Sequence, residues 1–423
     1  MTSPRSETPS ELSPIQAGVL SPSSLVSAEI DQLTPQLIDW RRDLHAHPET
    51  AFTETRTTDL VRTALHAADI DTRNLPRTGL VADIGADNPT HLVGLRADLD
   101  ALPVPERSGL PYASTVPGVC HACGHDVHTV VVLGAALALK RLQHLLVAAD
   151  AAVRVVFQPA EEVVPGGAHD LLDAGVLDDV HRIFAVHCDP SVDVGSVGLA
   201  AGPITAACDL IDVTLTGPGG HTSRPHLTAD LTFALGKVLT DVPAALGRRL
   251  DPRAGAALVW GTVSAGNAAN VIPATGRVVG TLRMLDADAW NTIGGLVTEL
   301  IHGVVAPYNV HADVQHVRGV PPVVNDPVAV ALLADAVRMT QGPAAAVSTR
   351  QSLGGEDFSW MLRDRTGAMA RLGTRTPGGA TYELHQGDLQ IDERAIGVGT
   401  RMLATAALLS STAVSTGRSG PSL

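Results

Sequence analysis

The chain has 423 residues, 45% apolar and 17% charged, and a formal net charge of -14. That length exceeds one ordinary core, so two domains are expected, each burying enough apolar surface to fold without disulfide staples. The acidic balance, with no block of Lys or Arg, excludes nucleic acid and anionic membrane surfaces as partners, because both reward clustered positive charge.

In chain order, the opening MTSPRSETPSELSP is polar and rich in Pro and Ser, with no apolar run behind a basic start. It does not read as a secretory signal, and residues 1–29 are expected to form a disordered leader. A helix is expected from about Ile30 through Trp40, followed by short β-like runs in LVADIG and HLVGLRAD and a long apolar helix from about Val127 to Leu146. AAVRVVFQPA and RIFAVH are continuous apolar runs of strand length ending in polar residues, as buried parallel strands read. The texture changes near Pro203, where DLIDVTLTGPGG alternates like a half-exposed strand. After it come a helix from about Leu227 to Leu250, the alternating strands ALVWGTVSAG and GRVVGTLRML, a helix near Ala287 to Val305, and VHADVQHVRG. Strand-helix-strand-strand-helix-strand is the ferredoxin-like order. Helix and strand alternate again from Val328 through GAMARLGT and close with a helix over Asp392 to Leu409.

The expected architecture is therefore α/β: a catalytic domain of residues 30–204 and 320–412 with a mixed sheet flanked by helices, interrupted by an α+β domain of residues 205–319, with a flexible tail at 413–423. The longest uncharged stretch, Ala254 to Gly276, is broken by Asn, Ser, Gly and Pro, so no membrane span is expected. The four cysteines, Cys120, Cys123, Cys188 and Cys208, are sparse and irregularly spaced, which fits a reduced, cytoplasmic compartment.

Chemistry concentrates in HACGHDVH, His121 to His128. Cys123 and His125 can reach one cation where Gly124 lets the backbone turn. The same octapeptide also reads as a Cys-x-x-Cys dithiol of Cys120 and Cys123, or as histidines capping the following helix, and alone it leaves these readings open. The strand ends add weight: FQPAEE sets Glu161 and Glu162 just past one buried strand, and AVHCDP sets His187 at the end of the next. In an open α/β sheet ligands bind at the carboxyl ends of the strands. Adjacent glutamates there can divide two tasks, one coordinating a cation and the other serving as a base for metal-bound water.

With these residues RADLDALP (Arg96 to Pro103), QPAEE, AVH, GPGGHTSRPH (Gly217 to His226), NVIP (Asn270 to Pro273), GGEDF (Gly354 to Phe358) and ELH (Glu383 to His385) stand in the order and spacing of one family. From about Ile30 to Leu409 the chain resembles the metal-dependent amidohydrolases that include hippurate hydrolases, plant auxin-conjugate hydrolases, N-acyl amino acid deacylases and related carboxypeptidases. The resemblance implies a site for two divalent metal ions (Zn, Mn, Co or Ni) with Cys123, His125, Glu162, His187 and His385 as ligands. Glu161 takes the general base and acid role, and Asp98 resembles the carboxylate that orients a ligand histidine. Cys188, beside His187, stands where bulkier residues are common in the family.

The implied activity is hydrolysis of the amide of an N-acyl amino acid, a metal-bridged hydroxide attacking the acyl carbonyl. His221, on a Gly-rich turn, is the candidate oxyanion donor. Asn270, His226 and Arg283 are candidates for the substrate carboxylate. Relatives pair two subunits through the inserted domain, so a homodimer is expected. A carboxypeptidase or dipeptidase with the same site is the enzymatic alternative. A non-catalytic metal or dithiol module is the alternative of another class, and it has no use for an uncoordinated Glu161 beside Glu162.

Overall fold

The structure is a computed structural model that describes residues 21–413; the leader up to residue 20 and the tail from residue 414 lie outside the described residues. Helix α1 (Pro22–Ala46) starts earlier than the expected end of the leader. Ser21 caps it by accepting a hydrogen bond from the Ser24 N–H at 3.2 Å, and Pro22 takes the first helical position, where a missing N–H costs nothing. Val26, Ile30, Leu33, Leu37 and Leu44 recur at helical spacing and are buried, so residues 22–29 belong to the folded body and not to a leader.

There follow α2 (Thr55–His66), β1 (Thr72–Asn74), β2 (Leu80–Gly85), β3 (His91–Asp98), α3 (His125–Arg141), α4 (Gln143–Ala148), β4 (Ala151–Gln158), α5 (Gly167–Asp173), β5 (Arg182–Asp193), β6 (Val197–Leu199) and β7 (Gly202–Pro203). The interrupting segment supplies β8 (Ala207–Thr216), β9 (Gly220–His221), α6 (Leu231–Arg249), β10 (Ala257–Ala265), β11 (Val271–Ile272), β12 (Thr275–Met284), α7 (Ala287–Val305) and β13 (His311–Val320). The chain ends with β14 (Val324–Asn325), α8 (Pro327–Gln341), β15 (Ala346–Ser348), α9 (Phe358–Met361), β16 (Thr366–Arg375) and α10 (Arg394–Ala413).

The large sheet runs β1-β2-β4-β3-β5-β16-β6-β15. Its centre, β4, β3, β5 and β16, is parallel, while β2 pairs antiparallel with β4 and β6 antiparallel with β16, so the sheet is mixed. Parallel central strands put four carboxyl ends on one edge. Helix α3 is buried from His125 to Leu139, as expected of a helix that is apolar all round, and packs against α1, α10 and β3. Each of its buried Val and Leu side chains contributes about 1.5–3 kcal/mol.

The second sheet, β10-β12-β8-β13, is wholly antiparallel and carries α6 and α7 on one face over a core of its own. On α7 Trp290, Ile293, Val297, Ile301 and Val305 form the buried stripe. Chain entry and exit lie side by side, since β7 pairs with β14 through Pro203 and Val324. No helix among the described residues is long and apolar enough to cross a membrane.

Candidate metal centre

The expected ligands come from separate elements and meet at the carboxyl edge of the large sheet. Gly124 has φ 86, a left-handed conformation that turns the chain out of Cys123 and into α3 at His125. A Cβ at Gly124 would stand 2.9 Å from Ile391 Cδ1 and 3.0 Å from Cys188 Sγ, so the turn also needs the missing side chain. That contact also shows Cys188 filling space as a small apolar group. Ala160, at φ 54, turns the chain after β4, and its N–H donates to buried Glu54 Oε1 at 2.8 Å, which fixes the approach to Glu161 and Glu162. His385 also has positive φ, 61°, and its N–H donates to Ala122 O at 2.8 Å. Such strained backbone persists where the surroundings over-determine it.

His187 does not end its strand: β5 runs on to Asp193 because β16 stays paired with it that far. What ends is the neighbour, since β3 pairs with β5 only as far as Ala185. The gap beyond it exposes His187 to the cleft.

Hydrogen bonds select which ring nitrogen faces inward. His125 Nδ1–H donates to the Asp100 carbonyl at 2.9 Å, with Asp100 Oδ1 at 3.2 Å, and His187 Nδ1–H donates to the Cys188 carbonyl at 2.8 Å. Both Nε2 lone pairs therefore point into the cluster, the arrangement a metal-binding imidazole requires. His187 Nε2 lies 3.5 Å from Cys123 Sγ, and His125 Nε2 lies 3.8 Å from Glu162 Oε1 and 4.0 Å from Glu161 Oε2. His385 Nε2 is 3.3 Å from Glu162 Oε1.

Three of the close-set donor groups among the described residues are made of these side chains: Cys123 with His125 and His187, Cys123 with Glu162 and His385, and His125 with Glu161 and Glu162. The first two share Cys123, which places it between two neighbouring positions. Buried His125 Nε2 and Glu162 Oε1 have no hydrogen-bond partner, and buried polar atoms are rarely left so. The neighbouring Cys123 and then Glu162 push His385 up to about 10. Burial, followed by Glu356 and Glu162, raises Glu161 well above the usual carboxylate range. Thiolate, imidazole and carboxylate donors in this arrangement fit divalent cations of the Zn, Mn, Co and Ni type.

The orienting carboxylate requires a correction. Asp98 Oδ1 is 3.8 Å from His125 Nδ1 and instead accepts from His128 Nδ1 at 2.7 Å; His128 Nε2 in turn accepts the Cys188 N–H at 2.8 Å. Asp100, two residues on and on the same side of the extended chain, takes His125. Asp98 thus supports, through His128, the backbone beside His187.

Sequence reasoning also missed the partners of Arg96. Its buried guanidinium holds Asp98 at 2.7 Å, Asp357 at 2.9 Å and Glu356 at 3.1 Å, and its Nε donates to Gln158 at 2.8 Å. The RAD, QPAEE and GGEDF motifs are thereby tied into one network behind Glu161, and the Gly-Gly-Glu-Asp run was the only signal for its last members.

These residues border a cavity of about 480 Å³ whose walls include Cys123, Glu161, Glu162, His187, Arg283 and His385. Of the expected substrate residues only Arg283 reaches it, and its guanidinium donates to the Leu353 carbonyl. His221, His226 and Asn270 are exposed and stand outside this cavity, with His221 on β9 paired to Val271 of β11 and its Nδ1 accepting from Ser223 N–H at 3.1 Å. Cys120 and Cys123 are both free thiols, and Cys120 joins none of the donor groups. A larger cavity of about 790 Å³, between Pro203, Asp286 and Arg363, contains none of the ligand candidates.

Residues 94–409 match the model of Peptidase family M20/M25/M40. A Rhodococcus jostii (strain RHA1) protein provisionally named glutamate–cysteine ligase 2-3 is 47% identical over 89% of this chain, but the chain spans only 47% of that protein. N-acetylcysteine deacetylase of Bacillus subtilis (strain 168) is 33% identical over 88% of this chain and 96% of its own length. Among solved structures, a dinuclear metal binding peptidase of the M20 family from Bacillus subtilis superposes with a TM-score of 0.78 at 32% identity, covering 90% of this chain and 98% of that one.

Proposed function

Because the chain belongs to Peptidase family M20/M25/M40 and is a hydrolytic enzyme, we propose that it cleaves the amide bond of N-acyl amino acids, releasing a carboxylic acid and a free amino acid. The observation that carries this reading is the convergence of His125 Nε2, His187 Nε2 and Cys123 Sγ, with Glu162 and His385 closing the far side and Glu161 beside them. Those five residues would hold two divalent cations, which when bound would supply Lewis-acid polarisation of a carbonyl and an acidified water. Glu161, adjacent to the ligand Glu162, takes the proton from the attacking water and returns it to the leaving amine.

The tetrahedral oxyanion needs a further donor, and His221 lies outside its own chain's cavity. In this reading the partner subunit's His221 supplies it, together with the partner's His226 and, from the loop before β11, the partner's Asn270 for the substrate carboxylate. An unpaired sheet edge at β10 with exposed Val259 and Val263 supports a homodimer through residues 205–319. Sparse free thiols fit a cytoplasmic setting. The ligase named in the Rhodococcus protein does not transfer, since the match spans under half of that protein and includes the peptidase segment.

The test is release of free amino acid from a panel of N-acyl amino acids and dipeptides, with the protein chelated and then reloaded with Zn, Mn, Co or Ni. N-acyl amino acids should be cleaved fastest. Faster cleavage of peptides with a free amino terminus would replace this reading with a dipeptidase.

A further inference from the structure

Three arginines are buried in the described structure, and two are fully paired: Arg41 with Asp126 at 2.7 Å, and Arg96 with Asp98, Glu356 and Asp357. The third, Arg371, is 5% exposed and makes no hydrogen bond or ion pair among the described residues. An unpaired buried charge is costly, and it is kept where something else pairs with it.

Arg371 lies on β16 in register with His187 of the adjacent parallel strand, so the two side chains leave the sheet on the same face. It forms part of the wall of the 480 Å³ cavity that Cys123, Glu161, Glu162, His187 and His385 also border. The nearest acids are already committed. Glu356 is held by Arg96 and accepts the Phe358 N–H at 3.0 Å, and Asp189 accepts from Ser191 N–H at 2.9 Å and its hydroxyl at 2.5 Å. Arg283, across the cavity, already donates to the Leu353 carbonyl. One uncommitted guanidinium therefore faces the reaction space, with a planar fork of donors shaped for a carboxylate.

We propose that Arg371 binds a carboxylate of the substrate from the catalytic domain's side of the cavity, which makes it a specificity-determining residue that this chain carries in its own wall. This rests on the amide-hydrolysis reading above. The carboxylate belongs either to the amino acid part or to the end of a dicarboxylic acyl part.

Arg371→Met and Arg371→Lys, each checked for metal content and thermal unfolding, separate the cases with three substrates: N-acetylmethionine, N-acetylmethioninamide and N-succinylmethioninamide. Arg371→Met should raise KM about 10- to 100-fold on a substrate whose carboxylate Arg371 holds, the worth of a charged hydrogen-bonded pair, and leave the uncharged N-acetylmethioninamide unchanged. Arg371→Lys should recover part of the loss. Loss on N-acetylmethionine alone assigns the α-carboxylate; loss on N-succinylmethioninamide alone assigns the acyl carboxylate. Equal change on all three, or loss of metal or stability with the acid-to-amide preference intact, would make Arg371 a counter-charge to Glu356 and overturn the proposal. Calorimetric binding of methionine and succinate to the metal-loaded protein reads the same assignment without turnover. Arg371-dependent binding with no amide cleaved would sink the hydrolysis reading alone, and cleavage with Arg371-independent binding would sink this one alone.

Discussion

Cys123 and Cys120 stand three residues apart, both buried, yet only Cys123 joins donor groups with His125, His187, Glu162 and His385. Cys123→Ser should therefore lower metal content measurably, since an alcohol is a far poorer ligand than a thiolate, while Cys120→Ser should change it little. Equal loss in both would restore the dithiol reading. Glu161→Gln should retain metal and lose about 10²-fold or more in turnover, whereas Glu162→Gln should lose metal; near-full activity in Glu161→Gln would reverse the assignment. The clustering of Cys123, His125, Glu162, His187 and His385 was legible because their residue types are rare and their motifs short. Asp100 and Asp98 were not separable, because which carboxylate meets His125 depends on a side-chain direction that spacing alone leaves open. Arg371 was hidden for another reason: GAMARLGT reads as an apolar strand, and one arginine in it carries no sign of facing a cavity.

At the scale of elements, period and length located most helices and strands, including α7, whose caps and apolar stripe agree with the expected Ala287 to Val305. Short pieces such as β1, β6 and β15 were illegible, since three residues show no period. The apolar run from Val127 to Leu146 is two helices, broken at Leu142. Helix crossings give a sharper test of the packing. A Cβ on Gly134 of α3 would lie 2.6 Å from Leu37 Cδ1 and 2.9 Å from Thr400 Cγ2, where α1 and α10 close on it. Gly134→Val should destabilise by about 1–3 kcal/mol through overpacking. Gly236 of α6 has nothing within 4 Å of such a Cβ, so Gly236→Ala should be neutral or stabilising by about 0.5–1 kcal/mol. Denaturant unfolding of both variants measures the pair, and equal effects would contradict the packing. The network behind Glu161 is a second element-scale device: Arg96→Leu leaves Asp98, Glu356 and Asp357 without their cation and should cost about 3–5 kcal/mol.

Over the whole molecule, the ferredoxin-like order of residues 205–319 was readable from alternation, because an antiparallel sheet with one covered face shows its period in sequence. The order of the large sheet was not, since β16 inserts between β5 and β6 from far along the chain, and buried parallel strands look alike. The division of labour between the two parts yields a test of assembly. Mixing inactive Glu161→Gln with inactive His221→Ala subunits should recover part of the activity in hybrid dimers if the partner subunit's His221 completes each site; no recovery despite demonstrated exchange would leave His221 acting within its own chain, and a monomer at working concentration would remove the dimer. The central claim, that cations held by Cys123, His125, Glu162, His187 and His385 enable amide hydrolysis, meets its most direct test in one titration. Metal is returned stepwise to the chelated protein, and free amino acid released from an N-acyl amino acid is measured against metal bound per chain. The account predicts no release from the metal-free protein and a rise to full turnover as about two ions bind; full turnover with no metal bound would contradict it.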